Sequence, residues 1–239
     1  MKPTRLFISI LLLLSIATLS SCRKDWNGVR GDGPILTEDR IVSSFHGVEY
    51  HLEGDVNIRR DSIFSVTVSS YGNYLPLIRT EVIGGKLIIN SSKSLRDNEI
   101  TVDISMPSLD HLSLSGSGDI RTIDRFSDAS LYVNLSGSGK VSYFGDVDDL
   151  RANISGSGMM DLDGTANDAT MTMSGSGKIA AFGMITNNNS ATISGSGNIE
   201  TFVSNHLDAT ISGSGTIRYR GNPSVTTHIS GSGSVVRVP

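Results

Sequence analysis

Apolar and polar residues alternate in steps of two along most of this chain. In the stretch from Leu150 to Met160, Leu150, Ala152, Ile154, Gly156, Gly158 and Met160 share one parity, while Arg151, Asn153, Ser155, Ser157 and Met159 share the other. Successive side chains of a strand point to opposite faces, so the first set is read as facing a core and the second as facing water. The same parity runs through Leu131, Val133, Leu135, Gly137, Gly139 and Val141, and through Leu207, Ala209, Ile211, Gly213, Gly215 and Ile217. No window beyond the first residues shows sustained helical periodicity with caps, so almost no helix is expected there.

The alternation is punctuated at regular intervals. An apolar residue followed by Ser-Gly-Ser-Gly occurs seven times, with first serines Ser115, Ser136, Ser155, Ser174, Ser194, Ser212 and Ser230, spaced by 21, 19, 19, 20, 18 and 18 residues. A period near twenty residues marks a solenoid, in which each coil covers its apolar face only by stacking on its neighbours. The pattern therefore predicts an all-β fold, a right-handed single-stranded parallel β-helix, with rungs of 18 to 21 residues. The β-helix is expected over residues 34–239, with degenerate rungs over 34–110 and regular ones over 111–239. A second apolar group (Tyr143-Phe144, Phe182, Phe202, Tyr219) follows the motif, then a polar turn such as Asp146 to Asp149 or Asn187 to Asn189. In the degenerate part, Val48 to Ile58 looks like an early copy interrupted by Glu53-Gly54-Asp55. Phe64 to Val68, Ile83 to Ile88 and Ile100 to Met106 are expected as further rungs.

Paired glycines of inward parity suggest a space too narrow for side chains, since glycine is otherwise a poor strand residue. The alternative is that their freedom in φ lets the chain turn a corner. The unbroken parity favours a flat or gently bent strand.

Parallel stacking brings each residue within about 4.8 Å of its copy in the next rung, so like residues form columns. Two outward columns consist of Ser136, Ser155, Ser174, Ser194 and Ser212, and of Ser138, Ser157, Ser176, Ser196 and Ser214. Beside them lie Asn134, Asn153, Thr172, Thr192 and Thr210. These residues are the candidate binding surface, an ordered and nearly uncharged array of hydroxyls and amides. The same columns would also arise simply because small polar residues stack well in parallel strands.

The chain opens with Lys2 and Arg5, an apolar run from Leu6 to Leu14, and Leu19-Ser20-Ser21 directly before Cys22, the one cysteine. The run is too short for a spanning helix, and this arrangement resembles a bacterial lipoprotein signal over residues 1–21. Cys22 is then the expected lipidation site and membrane anchor. Residues 22–33, charged and glycine-rich, read as a flexible tether. Loss of residues 1–21 leaves 239 − 21 = 218 residues with 18 basic and 24 acidic side chains, a net charge of −6. That balance argues against nucleic acid as a partner. Localisation is expected in the cell envelope, lipid-anchored at the outer membrane.

A lipoprotein-like signal, a degenerate first rung, Gly84-Gly85, Met106-Pro107-Ser108-Leu109 and the iterated motif together resemble one family: the "putative auto-transporter adhesin" head domain, or GIN domain, of Gram-negative envelope lipoproteins. The resemblance covers about Ile35 to Pro239 and implies a parallel β-helix. It supplies no catalytic or binding residues. Glu53-Gly54-Asp55 departs from the family's motif, so the serine ladder is expected to start late.

Other chemistry is weighed against the residues. Gly137-Ser138-Gly139-Lys140 lacks the first glycine and the final hydroxyl of a phosphate loop, Asn134 and Val141 standing there instead. Calcium binding of the repeat type needs a recurring aspartate, and only Asp119 follows the second glycine. Asp146, Asp148, Asp149, Asp161 and Asp163 could form a weak cation or sugar site but fit solvated turns better. His46, His51, His111, His206 and His228 lack metal-ligand spacing. No metal or other cofactor is expected, nor an enzyme. The expected function is an envelope binding module contacting polysaccharide or a surface protein through its polar columns. The alternatives are a structural envelope scaffold without a ligand and a polysaccharide-acting β-helix enzyme.

Overall fold

The computed structural model describes residues 28–97 and 99–239, so Cys22 and the leader lie outside the described residues. Among the described residues all regular elements are strands: β1 (Ile35–Asp39), β2 (Gly47–Tyr50), β3 (Asp55–Arg60), β4 (Ser65–Tyr71), β5 (Ile78–Ile83), β6 (Lys86–Ser91), β7 (Ile100–Met106), β8 (His111–Gly116), β9 (Asp119–Thr122), β10 (Phe126–Gly137), β11 (Lys140–Gly156), β12 (Met159–Gly175), β13 (Lys178–Gly195), β14 (Asn198–Gly213), β15 (Thr216–Arg220), β16 (Ser224–Gly231) and β17 (Ser234–Arg237). They build a β-solenoid.

From β10 to β15 each strand pairs in parallel with the next, β16 and β17 then pair in parallel with β14 and β15, and identical motif positions face each other: Ser136 with Ser155, Ser155 with Ser174, Ser174 with Ser194, Ser194 with Ser212. The core is the sum of the inward columns, among them Leu135, Ile154, Met173, Ile193 and Ile211, all essentially inaccessible. Each large apolar side chain so buried contributes about 1.5–3 kcal/mol and rests on copies above and below it, which ties neighbouring rungs together.

The chain turns a corner at the motif, where a flat or gently bent strand was expected. Strand β11 ends at Gly156, Ser157 bends, and β12 starts at Met159. The two glycines have different reasons. Gly156 has φ +139°, a conformation side chains rarely adopt, and a Cβ there would lie 2.5 Å from the carbonyl oxygen of Gly137 in the rung beneath. Gly158 is the buried one, where a Cβ would meet both Gly139 O and Leu135 Cδ2 at 2.6 Å. The crowding comes from the rung below and not from an opposite wall. The corner itself is hydrogen-bonded rung to rung, with Ser157 N and Gly158 N both donating to Gly137 O at 3.0 Å.

The expected polar turns are also corrected. Strands β11 to β14 run unbroken for 16 to 18 residues, right through Asp146 to Asp149 and Asn187 to Asn189. Consecutive exposed residues, Asp148-Asp149 in β11 and Asn187-Asn188 in β13, mark where the strand wraps round the core and its parity resets. After that reset Asn189 points inward, 3% exposed, and donates to Thr201 Oγ1 at 2.8 Å. Phe144, placed with the apolar group, is 39% exposed, under the Arg125 guanidinium at 5.1 Å.

Chain order and spatial order part company in the first third. Strands β2 and β3 pair in parallel on one side with β6 and β7, and on the other with β8 and β9. The rung made second therefore lies outside the rung made first. Beyond it, β5 runs antiparallel to β6, β4 antiparallel to β7, and β1 antiparallel to β4. Phe64 to Val68 and Ile83 thus belong to a closing layer of antiparallel strands and not to rungs. Tyr74 and Leu75, both buried, lie on the turn joining β4 to β5. The pairs Tyr50 with Leu114 and Asp55 with Asp119 set His51-Leu52-Glu53-Gly54 where later rungs carry Ser-Gly-Ser-Gly. The first corner thus keeps only the second glycine.

Candidate binding surface

The sequence-derived residues fall into three adjoining columns. Register joins Ser113, Asn134, Asn153, Thr172, Thr192, Thr210 and His228 in one. These side chains from Asn134 to Thr210 are half-buried, and Asn134 Nδ2 reaches Ser113 Oγ at 3.4 Å. The second column, Ser136, Ser155, Ser174, Ser194 and Ser212, is exposed, as is the corner column Ser138, Ser157, Ser176, Ser196 and Ser214. In the corner column the backbone N–H groups of Ser138, Ser157, Ser176, Ser196 and Ser214 are spent on the rung beneath, so only the hydroxyls are offered outward. Such a surface presents donors and acceptors at the rung spacing of about 4.8 Å, with no charge among them.

A charged cluster that sequence reasoning missed stands at the head of the first column. Glu49 is in register with Ser113, and its carboxylate accepts a hydrogen bond from Lys86 Nζ at 2.5 Å, with His111 Nε2 lying 3.2 Å away. The hydrogen bond from Lys86 holds the Glu49 carboxyl below its usual range. Burial, aided by the nearby Lys86 charge, pushes the His111 imidazole down, and its ring stacks on Tyr132 at 5.2 Å. Residues 49, 86 and 111 meet only because β2 lies between β6 and β8. Nothing local in the sequence signals that.

The five aspartates do not gather into one site. On one flank Asp146 accepts both Arg125 Nε at 2.6 Å and Nη2 at 2.5 Å, and Thr165 Oγ1 at 2.7 Å, which hold its carboxyl at about 2. Asp148 begins an amide ladder: Asn167 Nδ2 donates to it at 3.1 Å, and Asn187 Nδ2 donates to Asn167 Oδ1 at 3.0 Å. A groove of about 620 Å³ runs along this strip, lined by Asp146, Asp148, Thr165 and Asn187 among others. Asp161 instead reaches Lys140 at 3.7 Å. Among the described residues no three carboxylates, imidazoles or thiols converge as metal ligands.

A β-solenoid with exposed, in-register columns of hydroxyls and amides defines the class: a repeat protein with an extended polar face. The chain belongs to the family described as "Putative auto-transporter adhesin, head GIN domain", whose profile matches residues 44–223. Its fold is shared by a crystal structure from Bacteroides fragilis named a "putative adhesin", with a TM-score of 0.83, 24% identity, and coverage of 88% of this chain and 100% of that one. A second, from Parabacteroides distasonis, is named a "putative lipid binding protein", with a TM-score of 0.75, 25% identity, and coverage of 88% and 99%. A third, from Parabacteroides merdae, also named a "putative adhesin", has a TM-score of 0.71, 22% identity and coverage of 88% and 99%. No curated protein matches the chain.

Proposed function

We propose that this protein is a binding module of the bacterial cell envelope, anchored by lipid at Cys22, that contacts glycans or other surface polymers through its serine, threonine and asparagine columns. The observation that carries this reading is the unbroken register of exposed serines from Ser136 to Ser212. A polymer with repeating hydroxyls can exchange hydrogen bonds with each rung in turn. Each contact is weak, but contacts linked on one chain gain from effective concentration, so binding rises steeply with polymer length. The family's adhesin description and the leader before Cys22 agree with an envelope location.

The test replaces Ser155, Ser174 and Ser194 together with lysine. These side chains are exposed, so circular dichroism should be unchanged while binding to purified envelope polysaccharide falls. Binding indistinguishable from the unaltered chain would make the ladder a by-product of stacking. In the same cells, Cys22→Ser should move the protein from the membrane to the soluble envelope fraction, and retention in the membrane would remove the anchor from this reading.

A further inference from the structure

The two ends of the solenoid differ. At the beginning, antiparallel strands and the buried Tyr74 and Leu75 close the core. At the other end, among the described residues, nothing lies on β16 and β17. Leu207 and Ile211 are 0% and 1% exposed, whereas Val225 and Ile229, their register partners in the last rung, are 37% and 47% exposed. Among the described residues the outer edges of β16 and β17 have no strand partner. A repeat protein ordinarily needs a polar cap there, and an open apolar edge strand is a template for pairing. The terminal strands carry Arg237 and no Asp or Glu, and Arg218 in β15 beneath already reaches Glu200 at 3.7 Å.

The opposite end carries the complement. Among the described residues strand β1 pairs only with β4, all five of its residues are exposed, and it holds Ile35, Leu36, Glu38 and Asp39. Two antiparallel steps, β1 to β4 and β4 to β7, leave β1 running in the same direction as β7, and so as β3, β9, β15 and β17. The inward positions of β1 are Leu36 and Glu38, paired with the buried Ser70 and Val68; those of β17 are Val235 and Arg237, paired with Ile217 and Tyr219. Laid side by side in parallel, β17 of one copy and β1 of the next match Leu36 with Val235 and Glu38 with Arg237. Glu38 already holds Arg40 through Oε2 at 2.9 Å, which leaves Oε1 for a second guanidinium.

The other flank gives a second match. Among the described residues strand β5 pairs only with β6, and it runs opposite to the direction shared by β6, β2, β8 and β16. Its inward Val82 and Thr80 pair with buried Leu87 and Ile89. Antiparallel to β16, they would face Val225 and Thr227, which pair with Leu207 and Ala209 and are inward in turn.

We propose that copies of this chain stack head to tail, β16 and β17 of one against β5 and β1 of the next, extending one solenoid across several molecules. The contact uses different surfaces on the two copies and prolongs the solenoid along its own axis, so it gives an open row. A tail-to-tail pair would instead leave the Arg237 of each copy without an acidic partner across the contact.

Sedimentation velocity tests this on the full chain carrying Cys22→Ser, so that lipid does not hold copies in a micelle. The expected result is a series of species that grows with concentration. Arg237→Glu and Glu38→Arg should each abolish every species beyond the monomer. Mixing the two variants in equal amounts should restore the series, because positions 38 and 237 of alternating copies then carry opposite charges again, a rescue that a folding defect would not show. A chain that stays monomeric at all concentrations, a closed dimer insensitive to either variant, or a mixture that fails to reassemble would each overturn the proposal.

Discussion

At the scale of single residues, the polar groups of this solenoid are mostly held by partners one rung away. Asp146 is the clearest case. Arg125, with Thr165 behind it, keeps its carboxyl at about 2, below the ordinary aspartate value of about 3.9. A carboxyl lowered by folding contributes stability that is present above about pH 3.9 and is lost as pH falls toward about 2. The pair is half open to water, so the contribution is small. Arg125→Ala should return the Asp146 titration toward about 3.9, followed by carboxyl chemical shifts in NMR. A midpoint left near about 2 would show that Thr165 alone suffices. Asn189 shows the opposite situation: it sits in an inward column between Ala169 and Leu207, and its Oδ1 accepts no hydrogen bond from the described residues. Its Nδ2 bond to the buried Thr201 offsets part of the cost of placing an amide there.

At the scale of the rung, the corner is the element that repeats, and its glycines are its least replaceable part. Gly156→Ala adds a Cβ against Gly137 O and forces a side chain into φ +139°. Strain of that kind costs about 1–3 kcal/mol. Ser157→Ala, one position on and exposed, should change stability by less than about 0.5 kcal/mol. Urea midpoints decide this, and equal midpoints would mean that the corner relaxes freely. The same stacking explains why the motif recurs in consecutive rungs. Once one rung has a glycine corner, the next must pack its own backbone on that carbonyl, and a side chain at the equivalent place would separate the sheets.

For the whole molecule, stability is distributed along one axis. Central strands β12 and β13 are each covered on both sides by full-length neighbours, and β11 by β12 on one side and by β9 and β10 on the other, while among the described residues β16 and β17 have a neighbour on one side only. In a protein whose units contact only their neighbours, opening spreads from an uncovered end. Amide exchange in dilute solution should therefore be fastest over Ser224–Arg237 and slowest over Lys140–Gly195. Equal protection from end to end would show instead that the solenoid opens as one block. The closed beginning of the solenoid, with β4 and β5 reversed against their neighbours, should exchange more slowly than the last rung.

What was legible in the sequence was what repeats. A period of two and a period near twenty are set by strand geometry and by the need of each coil to lie on a similar one. The β-solenoid, the inward columns and the serine, threonine and asparagine columns follow from residues read one after another. Tertiary structure alone decided the features that depend on which strand lies beside which. The corner at Gly156 is open as an alternative in the sequence but disfavoured there, because apolar parity continues through it although the backbone turns. The burial of Asn189 follows from a parity reset at Asn187-Asn188 that two exposed neighbours produce, and a run of three asparagines gives no sign of which one turns inward. The Glu49, Lys86 and His111 cluster exists because β2 slots between β6 and β8. That order is chosen by packing among segments of unlike sequence, and the chain has no local pattern that encodes it.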